Sequence, residues 1–371
     1  MKLQRLELIN FKNLNTVLDF DEQINIVIGP NGRGKTNILE ALYFLSRLNS
    51  FRSDDISEIF PWNKNNGSMQ SFRIGAKLTD GQDHVLIVEV QDGMGSIKKI
   101  LSVDDKKVPR SKFLYLFPVF LFLPKDLDLV NGSPKLRRSE LDSFIEMIYP
   151  EYIKIKTGYN RILLNRNRVI KQINENLTDL SQLAFWDEKL TIFGSQIVRK
   201  RLSVLEEFKE YLTITADSLF PSEFKDLRIN YISKLVVENS QNELEEIRSN
   251  FEGKLSNGRI KELAACKTLY GPQKDDFEIF LGRMNVQKAG SRGQQRLVTL
   301  LIKFAMFKFF EVKIGKKACF LLDDVMSELD DSNKKKLEKI ISSLKTQVIF
   351  TTTSKAEFSK SFLVSSKQIV I

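Results

Sequence analysis

The chain has 371 residues, of which 42% are hydrophobic and 28% are charged, and its formal net charge is +10. This composition is typical of a globular protein with room for two hydrophobic cores, and it excludes a polytopic membrane protein because no apolar stretch is long enough to span a bilayer. The N-terminus lacks a signal-peptide core, so we expect a cytoplasmic protein. The positive charge favours a polyanionic partner such as nucleic acid, although a solvated basic surface explains it equally well.

The numbers of cysteine and histidine residues limit which kinds of covalent, metal-binding and catalytic site are possible. Cys266 and Cys319 are the only cysteines, and we expect both to be small core residues in a reducing compartment rather than a disulfide. His84 is the only histidine, which argues against a histidine-based metal site and against a catalytic triad.

Strands are predicted through most of the first 123 residues. Apolar periodicity predicts strands over 3–9, 17–20, 24–28, 72–78 and 84–90, with the last two antiparallel. Polar turns are expected at 63–68, 80–81, 92–93 and 104–105. The apolar run over 113–123 is interrupted by Pro118 and is predicted to be a buried strand.

A glycine-rich loop lies between the strand at 24–28 and an apolar-periodic helix. It matches the pattern G-x-x-x-x-G-K-[ST] at Gly29, Gly34, Lys35 and Thr36. Glycines let the backbone N–H groups surround a phosphate, Lys35 can reach the β- and γ-phosphates, and the Thr36 hydroxyl can bind Mg²⁺. We predict that the nucleotide-binding residues are Gly29, Pro30, Asn31, Gly32, Arg33, Gly34, Lys35, Thr36 and Asn37.

The composition changes near Pro124. The chain is strongly helical over 135–219, and a strand at 227–237 and a helix at 242–263 follow. We interpret 126–262 as a mostly helical arm inserted between two halves of a head, 1–125 and 263–371. Basic residues cluster in the arm at Lys154, Lys156, Arg161, Arg166, Arg168 and Lys171, and again at 199–201.

The last hundred residues return to an α/β pattern. A turn at 270–272 and a strand at 277–281 are followed by helices over 295–310 and 333–344. Continuous apolar runs at 318–322 and 347–351 predict buried parallel strands. Asp323 follows the first of these strands and is placed to hold Mg²⁺, and the adjacent Asp324 is placed to orient and activate an attacking water molecule. Two solvated acids at a strand end are the alternative.

A second phosphate-binding edge is predicted at Ser291, Arg292, Gly293, Gln294 and Gln295, because a serine, a glycine and a helix N-terminus coincide there. As a bare pattern it is weak, since a Ser/Gly turn before a helix is often only a cap.

The order of these motifs resembles that of ABC-type ATPases: Walker A, signature, Walker B, and a D-loop that contains Ser327 and Asp330. The inserted arm is similar to that of the SMC and Rad50 group, and more specifically the chain resembles the RecF family of bacterial replication and repair proteins. The residues that carry this likeness are Asn10-Phe11-Lys12-Asn13, Ser50-Phe51-Arg52, Asp126-Leu127, Gly132-Ser133-Pro134, Arg137-Arg138, Asp142, Gly271-Pro272, Asp275-Asp276 and Ser291 to Arg296.

The resemblance implies an α/β ABC-type head with a mixed sheet and a β-rich subdomain, plus the helical arm. It implies a weak, DNA-stimulated ATPase with ATP and Mg²⁺ as cofactors, in which two subunits enclose ATP between the phosphate loop of one and Ser291 and Gly293 of the other. It also implies binding to gapped DNA and work with RecR and RecO to load RecA. Arg137, Arg138, Lys154, Lys156 and Arg161 are the candidates for DNA contact, with solvated or internally paired charges as the alternative.

Four positions depart from the family pattern: Lys125, Glu140, Gln273 and Asn333. In addition, Thr351-Thr352-Thr353 stand where ABC ATPases have a switch histidine, which suggests modest hydrolysis. Two other functions are the alternatives. A transport-type ABC ATPase is disfavoured by the basic arm and by Asp324 in place of the usual glutamate. A structural DNA-binding protein that binds ATP without useful turnover predicts that Asp324→Asn leaves repair intact.

Overall fold

The computed structural model describes residues 1–53, 55–61, 70–93, 96–114, 116–220, 223–224, 226–237 and 243–371. The turn predicted at 63–68 lies outside these residues, as does residue 242 at the start of a predicted helix.

Strands and helices alternate irregularly along the described residues. The strands are β1 (Lys2–Phe11), β2 (Leu14–Asp19), β3 (Ile24–Ile28), β4 (Gln70–Thr79), β5 (Asp83–Gly93), β6 (Ser96–Val103), β7 (Lys106–Lys107), β8 (Val119–Phe122), β9 (Leu227–Ile232), β10 (Asp276–Leu281), β11 (Met284–Asn285), β12 (Cys319–Asp323), β13 (Val348–Thr352) and β14 (Ser366–Val370). The helices are α1 (Lys35–Arg47), α2 (Arg110–Phe113), α3 (Pro134–Ile148), α4 (Tyr152–Asn174), α5 (Gln182–Leu219), α6 (Leu244–Ala264), α7 (Val286–Ala289), α8 (Arg292–Ile314), α9 (Asp331–Ser343) and α10 (Lys360–Val364).

The chain divides into two compact units. The first unit comprises Met1–Asp126 and Gly315–Ile371, and the second comprises Leu127–Ile314. The segment 263–314, which the sequence analysis assigns to the head, packs within the second unit. The predicted head and arm boundaries stay a prediction.

A parallel sheet forms the centre of the first unit. Its strand order is β14-β3-β13-β12-β8, and every neighbouring pair is parallel. All residues of β3, β12 and β13 are buried, which explains their continuous apolar sequences. Parallel strands end at the same edge, so the loops after β3 and β12 are brought together.

An antiparallel sheet with the order β2-β1-β4-β5-β6-β7 belongs to the same unit. Its buried face packs around α1 through an aromatic cluster in which the Phe72 ring lies 5.3–5.6 Å from three other rings, those of Phe11, Phe44 and Phe60. Edge-to-face packing of this kind stabilises a core beyond the area that it buries. The cluster fixes α1, and with it the loop that precedes α1.

The second unit combines the long helices α3–α6 and α8 with the sheet β11-β10-β9. Two arginines lie inside it. Arg166 is fully buried and binds Asp187 at 2.6 Å and Glu262 at 2.7 Å. Arg201 is 3% exposed and binds Asp142 through two hydrogen bonds of 2.9 and 3.0 Å. A buried charge requires a partner, and here the partners lie on other helices. The ion pairs of Arg166 and Arg201 therefore connect separate helices.

Most predicted elements are confirmed, and four expectations are wrong in part. The turn predicted at 92–93 falls on the last two residues of β5, which pair with β6. The apolar run at 113–123 is a strand only over β8, because Phe113 ends the short helix α2. Cys319 is buried, but Cys266 is exposed just beyond α6, where its φ of 51° ends the helical conformation. The strand predicted at 227–237 ends at Ile232. The apolar pattern of the sequence does not predict strands β6 and β14.

Candidate functional site

The glycine-rich loop connects β3 to α1, and its conformation requires glycine. Gly32 and Gly34 have φ angles of 83° and 97°, which side-chain-bearing residues rarely adopt. A Cβ on Gly34 would lie 2.8 Å from a methyl carbon of Leu14, and a Cβ on Gly29 would lie 2.8 Å from the carbonyl oxygen of Ile371. Lys35 is the first residue of α1, so the free N–H groups of the helix N-terminus face the loop.

Lys35 holds its ammonium group against the loop. Its Nζ donates to the carbonyl oxygens of Gly29 at 2.7 Å and Pro30 at 3.0 Å, and the residue is 7% exposed. The positive charge is therefore located beside the backbone that would surround a phosphate. The role predicted for Lys35, binding of the β- and γ-phosphates, stays a prediction.

A hydroxyl and a carboxylate connect the glycine-rich loop to the end of β12. The Thr36 hydroxyl donates to Asp323 Oδ1 at 3.0 Å, although the two residues are 287 positions apart. The same oxygen accepts a 2.6 Å hydrogen bond from the hydroxyl of Thr351 on β13. The register explains the contact, because Asp323 and Thr351 are paired residues of adjacent parallel strands.

Asp324 differs sharply from its neighbour. Its φ of 47° lies in the left-handed region, and its N–H donates to the Thr351 hydroxyl at 3.0 Å. Its Oδ1 is buried and has no hydrogen-bond partner among the described residues. Burial, and then the negative charge of Glu357, raise the pKa of this carboxyl above its ordinary value, while Lys35 opposes the shift. A strained residue with an unpaired carboxylate oxygen at a cleft is suited to bind a water molecule.

A cavity of about 290 Å³ contains these groups. Three residues that were not predicted as site residues also line it: Lys12, Asn13 and Arg52. A buried carboxylate, Glu40, binds Lys12 at 2.7 Å and accepts from the Ser50 hydroxyl at 2.5 Å. Lys12, Asn13 and Arg52 belong to the segments 10–13 and 50–52, which carry the family resemblance. Apolar periodicity alone does not show that these two segments reach the phosphate loop.

The residues present match the ligands that Mg²⁺ prefers. One hydroxyl (Thr36) and one carboxylate (Asp323) converge, and Mg²⁺ typically binds through one or two protein oxygens together with substrate phosphates and water. Among the described residues there is no group of three or more His, Cys, Asp or Glu side chains that could hold a metal by themselves. An ATP-dependent Mg²⁺ site is consistent with both observations.

The predicted signature residues belong to the second unit, at the start of α8. Ser291 and Gln294 cap the helix reciprocally: Ser291 N–H donates to Gln294 Oε1 at 2.9 Å, and Gln294 N–H donates to Ser291 Oγ at 3.3 Å. Ser291 and Arg292 are exposed, whereas Gln295 is buried and donates to the Val286 carbonyl oxygen at 3.1 Å. The side chain of Gln295 therefore connects the start of α8 to α7 inside the fold. The phosphate-binding role of this edge stays a prediction.

The two D-loop candidates have local roles in the fold. The Ser327 hydroxyl donates to the Asp324 carbonyl oxygen at 2.7 Å. Asp330 caps α9 by accepting from the Asn333 N–H at 2.9 Å and from its side-chain amide at 3.0 Å. Asn333, a departure from the family pattern, thus completes a helix cap.

The other three departures have distinct surroundings. Glu140 forms an ion pair with Lys303. Gln273 accepts from the Tyr159 hydroxyl and donates to the Tyr270 carbonyl oxygen at 2.8 Å. Lys125 is exposed.

The five candidates for DNA contact divide into two groups. Arg137 is 6% exposed and paired with Asp276 at 2.7 Å, Arg138 donates to the Asp275 carbonyl oxygen at 2.6 Å, and Lys156 is paired with Glu146 at 2.5 Å. The charge of Arg137 is thus paired inside the fold, which matches the alternative of an internally paired charge; its role in DNA contact stays a prediction. Lys154 and Arg161 are exposed.

A phosphate loop and an acid pair at the carboxyl edge of a buried parallel sheet define a P-loop ATPase head. The sequence model described as RecF/RecN/SMC N terminal domain matches residues 2–369. The chain is 32% identical over 346 residues to the DNA replication and repair protein RecF of Halothermothrix orenii, with 92% of this chain and 89% of that protein covered. It is 33% identical over 364 residues to the protein of the same name from Desulforamulus reducens, with 95% and 92% covered.

The structural comparison agrees. A solved structure of the recombination mediator protein RecF-ATPrS in the RecFOR pathway superposes with a TM-score of 0.84 at 30% identity, over 96% of this chain and 94% of that one. An SMC head bound to the C-winged helix domain of ScpA gives a TM-score of 0.52 at 17% identity, with 96% and 91% covered, which reflects a shared fold. The chain belongs to the RecF family of DNA replication and repair proteins, within the SMC-like ABC ATPases. The resemblance and the fold class predicted from the sequence are confirmed.

Proposed function

We propose that this protein is an ATP-gated DNA clamp of recombinational repair and replication restart. The observation that carries the proposal is the hydrogen bond of 3.0 Å between Thr36 and Asp323, which joins the phosphate loop to the acid pair. The site thereby brings together a cation for phosphate (Lys35), a hydroxyl–carboxylate pair for Mg²⁺, and a carboxylate for water (Asp324). Membership of an ATPase family supports ATP as the nucleotide.

In this proposal each residue has one task. Lys35 and the loop N–H groups hold the β- and γ-phosphates, and Thr36 and Asp323 hold Mg²⁺, which when bound neutralises phosphate charge. Asp324 orients the attacking water and accepts its proton through the carboxylate oxygen that has no partner within the described structure. Turnover is expected to be weak and stimulated by DNA.

We further propose that the site is completed by a second copy of the chain. Ser291 and Gly293 at the N-terminus of α8 are the groups that would bind the γ-phosphate held by the other subunit. The exposure of Ser291 and its position before a 23-residue helix support this role. ATP binding would then close the dimer, and hydrolysis would open it.

DNA at single-strand gaps is the proposed substrate, with RecR, RecO and RecA as proposed partners. The net charge of +10 and the solved relative, described as a recombination mediator in the RecFOR pathway, support this assignment. None of the described helices is long and apolar enough to cross a bilayer. The expected cytoplasmic location stays a prediction.

Sedimentation tests nucleotide gating and DNA binding together. The protein is analysed with ATP, with ADP and without nucleotide, each with and without gapped DNA. We expect a dimer only with ATP, and tighter DNA association in the same condition. Lys35→Ala, which removes the phosphate cation, should stay monomeric in every condition. A dimer that forms equally without nucleotide would contradict the proposal.

A further inference from the structure

Helix α4 carries charge of one sign only. Its 23 residues include six basic side chains and no acidic one; the basic residues are Lys154, Lys156, Arg161, Arg166, Arg168 and Lys171. Surface helices usually mix both signs, as α6 does with Glu245 and Glu246 in its first turn and Lys261 in its last. A helix of this kind needs either internal partners or an external polyanion.

Internal partners account for two of the six charges. Arg166 is fully buried between Asp187 and Glu262. Lys156 is paired with Glu146 at 2.5 Å. These two residues belong to the fold rather than to a binding surface.

The other four charges form a single exposed stripe. Lys154, Arg161 and Arg168 are seven residues apart, and Lys171 lies one turn beyond Arg168. Side chains seven apart lie on one face, separated by about 10.5 Å along the axis. All four residues are exposed, and no acidic group lies within 4 Å of any of them among the described residues.

The opposite face of α4 is fixed by packing. Tyr152, Tyr159 and Arg166 are also seven residues apart, and each is at most 2% exposed. This buried row is offset from the exposed row by two residues, which corresponds to about 200° around the helix axis. The tyrosine hydroxyls are bonded as well: Tyr152 donates to Asp142 at 2.8 Å, and Tyr159 donates to Gln273. The stripe is therefore held toward solvent by a rigid inner face.

The charge, apolar content and length of the stripe distinguish between three possible partners: a second copy of the chain, a lipid surface and a DNA duplex. A second copy of the same face would place like charges together, which is unfavourable. A lipid surface requires a broad apolar face, whereas α4 exposes two isolated large apolar side chains, Ile153 and Leu164. Phosphate groups spaced along a duplex match it, because the stripe is about 25 Å long, or about seven base pairs at 3.4 Å each.

We propose that Lys154, Arg161, Arg168 and Lys171 contact the phosphate backbone of duplex DNA, with α4 lying along it. This inference rests on the proposed function. Contacts to phosphate position the protein without reading sequence, so the stripe would hold the duplex beside a gap irrespective of its bases. Lys156 and Arg166, which are paired with acids of the fold, are not part of the proposed contact.

The test compares two double variants of the full-length protein. R161Q/R168Q removes two stripe charges, and K254Q/K261Q removes two exposed charges of α6, so the net charge of both variants is the same. Duplex DNA affinity is measured with ATP and Mg²⁺ over a series of salt concentrations. Each phosphate contact contributes about 0.9 to the slope of log affinity against log salt. R161Q/R168Q should therefore reduce the slope by about 1.8, so that between 50 and 200 mM salt the parent loses about twelvefold more affinity than the variant.

The control variant should keep the parent slope. Equal slopes for R161Q/R168Q and the parent would overturn the inference while leaving the proposed function in place. Equal slope losses in both variants would also overturn it, because they would report net charge alone. If the parent binds no DNA at any salt concentration, both the inference and the proposed function fail. Loss of binding to phosphatidylserine vesicles without loss of DNA binding would assign the stripe to lipid and overturn the inference.

Discussion

The hydroxyl of Thr351 donates a hydrogen bond of 2.6 Å to the carboxylate of Asp323 on the neighbouring strand. Thr351 is fully buried, and its oxygen also accepts the N–H of Asp324 at 3.0 Å. One side chain on β13 therefore orients both acids. Thr351 is at a position where ABC ATPases have a switch histidine. Here its hydroxyl positions Asp323 and Asp324.

Thr351→Val should weaken Mg²⁺-dependent turnover about 10–100-fold, because it removes a hydrogen bond that orients a metal-binding carboxylate while keeping the side-chain volume. ATP hydrolysis measured against Mg²⁺ concentration checks this. Thr351→Ser retains the hydroxyl and should behave like the parent. An unchanged Mg²⁺ dependence in the valine variant would show that Thr351 does not position Asp323.

Ser291→Arg should leave nucleotide binding by the monomer intact and block ATP-dependent dimerisation, since a long cation would replace the small hydroxyl at the start of α8. Nucleotide titration and sedimentation with ATP measure the two properties separately. Ser256→Arg, at an exposed position of α6, adds the same charge elsewhere and should still dimerise. A Ser291→Arg protein that dimerises normally would refute the composite site.

Asp324→Asn should lower turnover about 10²–10⁴-fold and retain ATP binding, as expected for loss of a general base. The measurements are single-turnover hydrolysis and nucleotide affinity. Full repair activity in cells that carry this variant would instead favour a structural protein that uses ATP binding alone.

The pH dependence of turnover offers an independent test of Asp324. The negative charge of Glu357 raises the pKa of the Asp324 carboxyl, so its removal should lower that pKa. At a given acidic pH a larger fraction of Asp324 is then ionised and able to accept a proton. Glu357→Gln should therefore shift the acid limb of the pH–rate profile to lower pH. A shift to higher pH would contradict the assignment.

Arg201→Met should destabilise the second unit by about 3–5 kcal/mol, because Asp142 would remain buried without its cation. Thermal or denaturant unfolding measures the loss. Lys209→Met breaks an exposed pair with Glu206 on α5 and should cost less than about 1 kcal/mol. An equal loss of unfolding free energy in the two variants would mean that the buried pair stabilises the protein no more than the exposed pair.

The sequence predicts the nucleotide site better than it predicts the basic arm, for a physical reason. The phosphate loop is a local motif, and the strand that carries Asp323 is a continuous apolar run, so both are recognisable in short windows. Whether a basic residue is free depends on acids that are distant in sequence: Arg166 meets Glu262 across 96 positions, and Arg137 meets Asp276 across 139. Charge clustering could not separate these two arginines from Arg161.

Strand prediction failed for similar reasons. The segment of β6 contains two adjacent lysines, and Lys99 is oriented by donating to the Leu48 carbonyl oxygen at 2.6 Å. Strand β14 is short and polar at its start, and it is specified mainly by pairing with β3. Neither alternates strongly enough to be recognised without its neighbours.

The strand order of the parallel sheet has a consequence for synthesis of the protein. Strands β3 and β8 leave the ribosome early, but β12 and β13 lie between them in the sheet and emerge much later. At about 5–20 residues per second, β8 waits on the order of 10–40 s for β12, and β3 waits on the order of 16–64 s for β13. During that interval the nascent chain exposes unpaired apolar strand edges. Efficient production of this protein should therefore depend on chaperones that bind it before its final fifty residues are made.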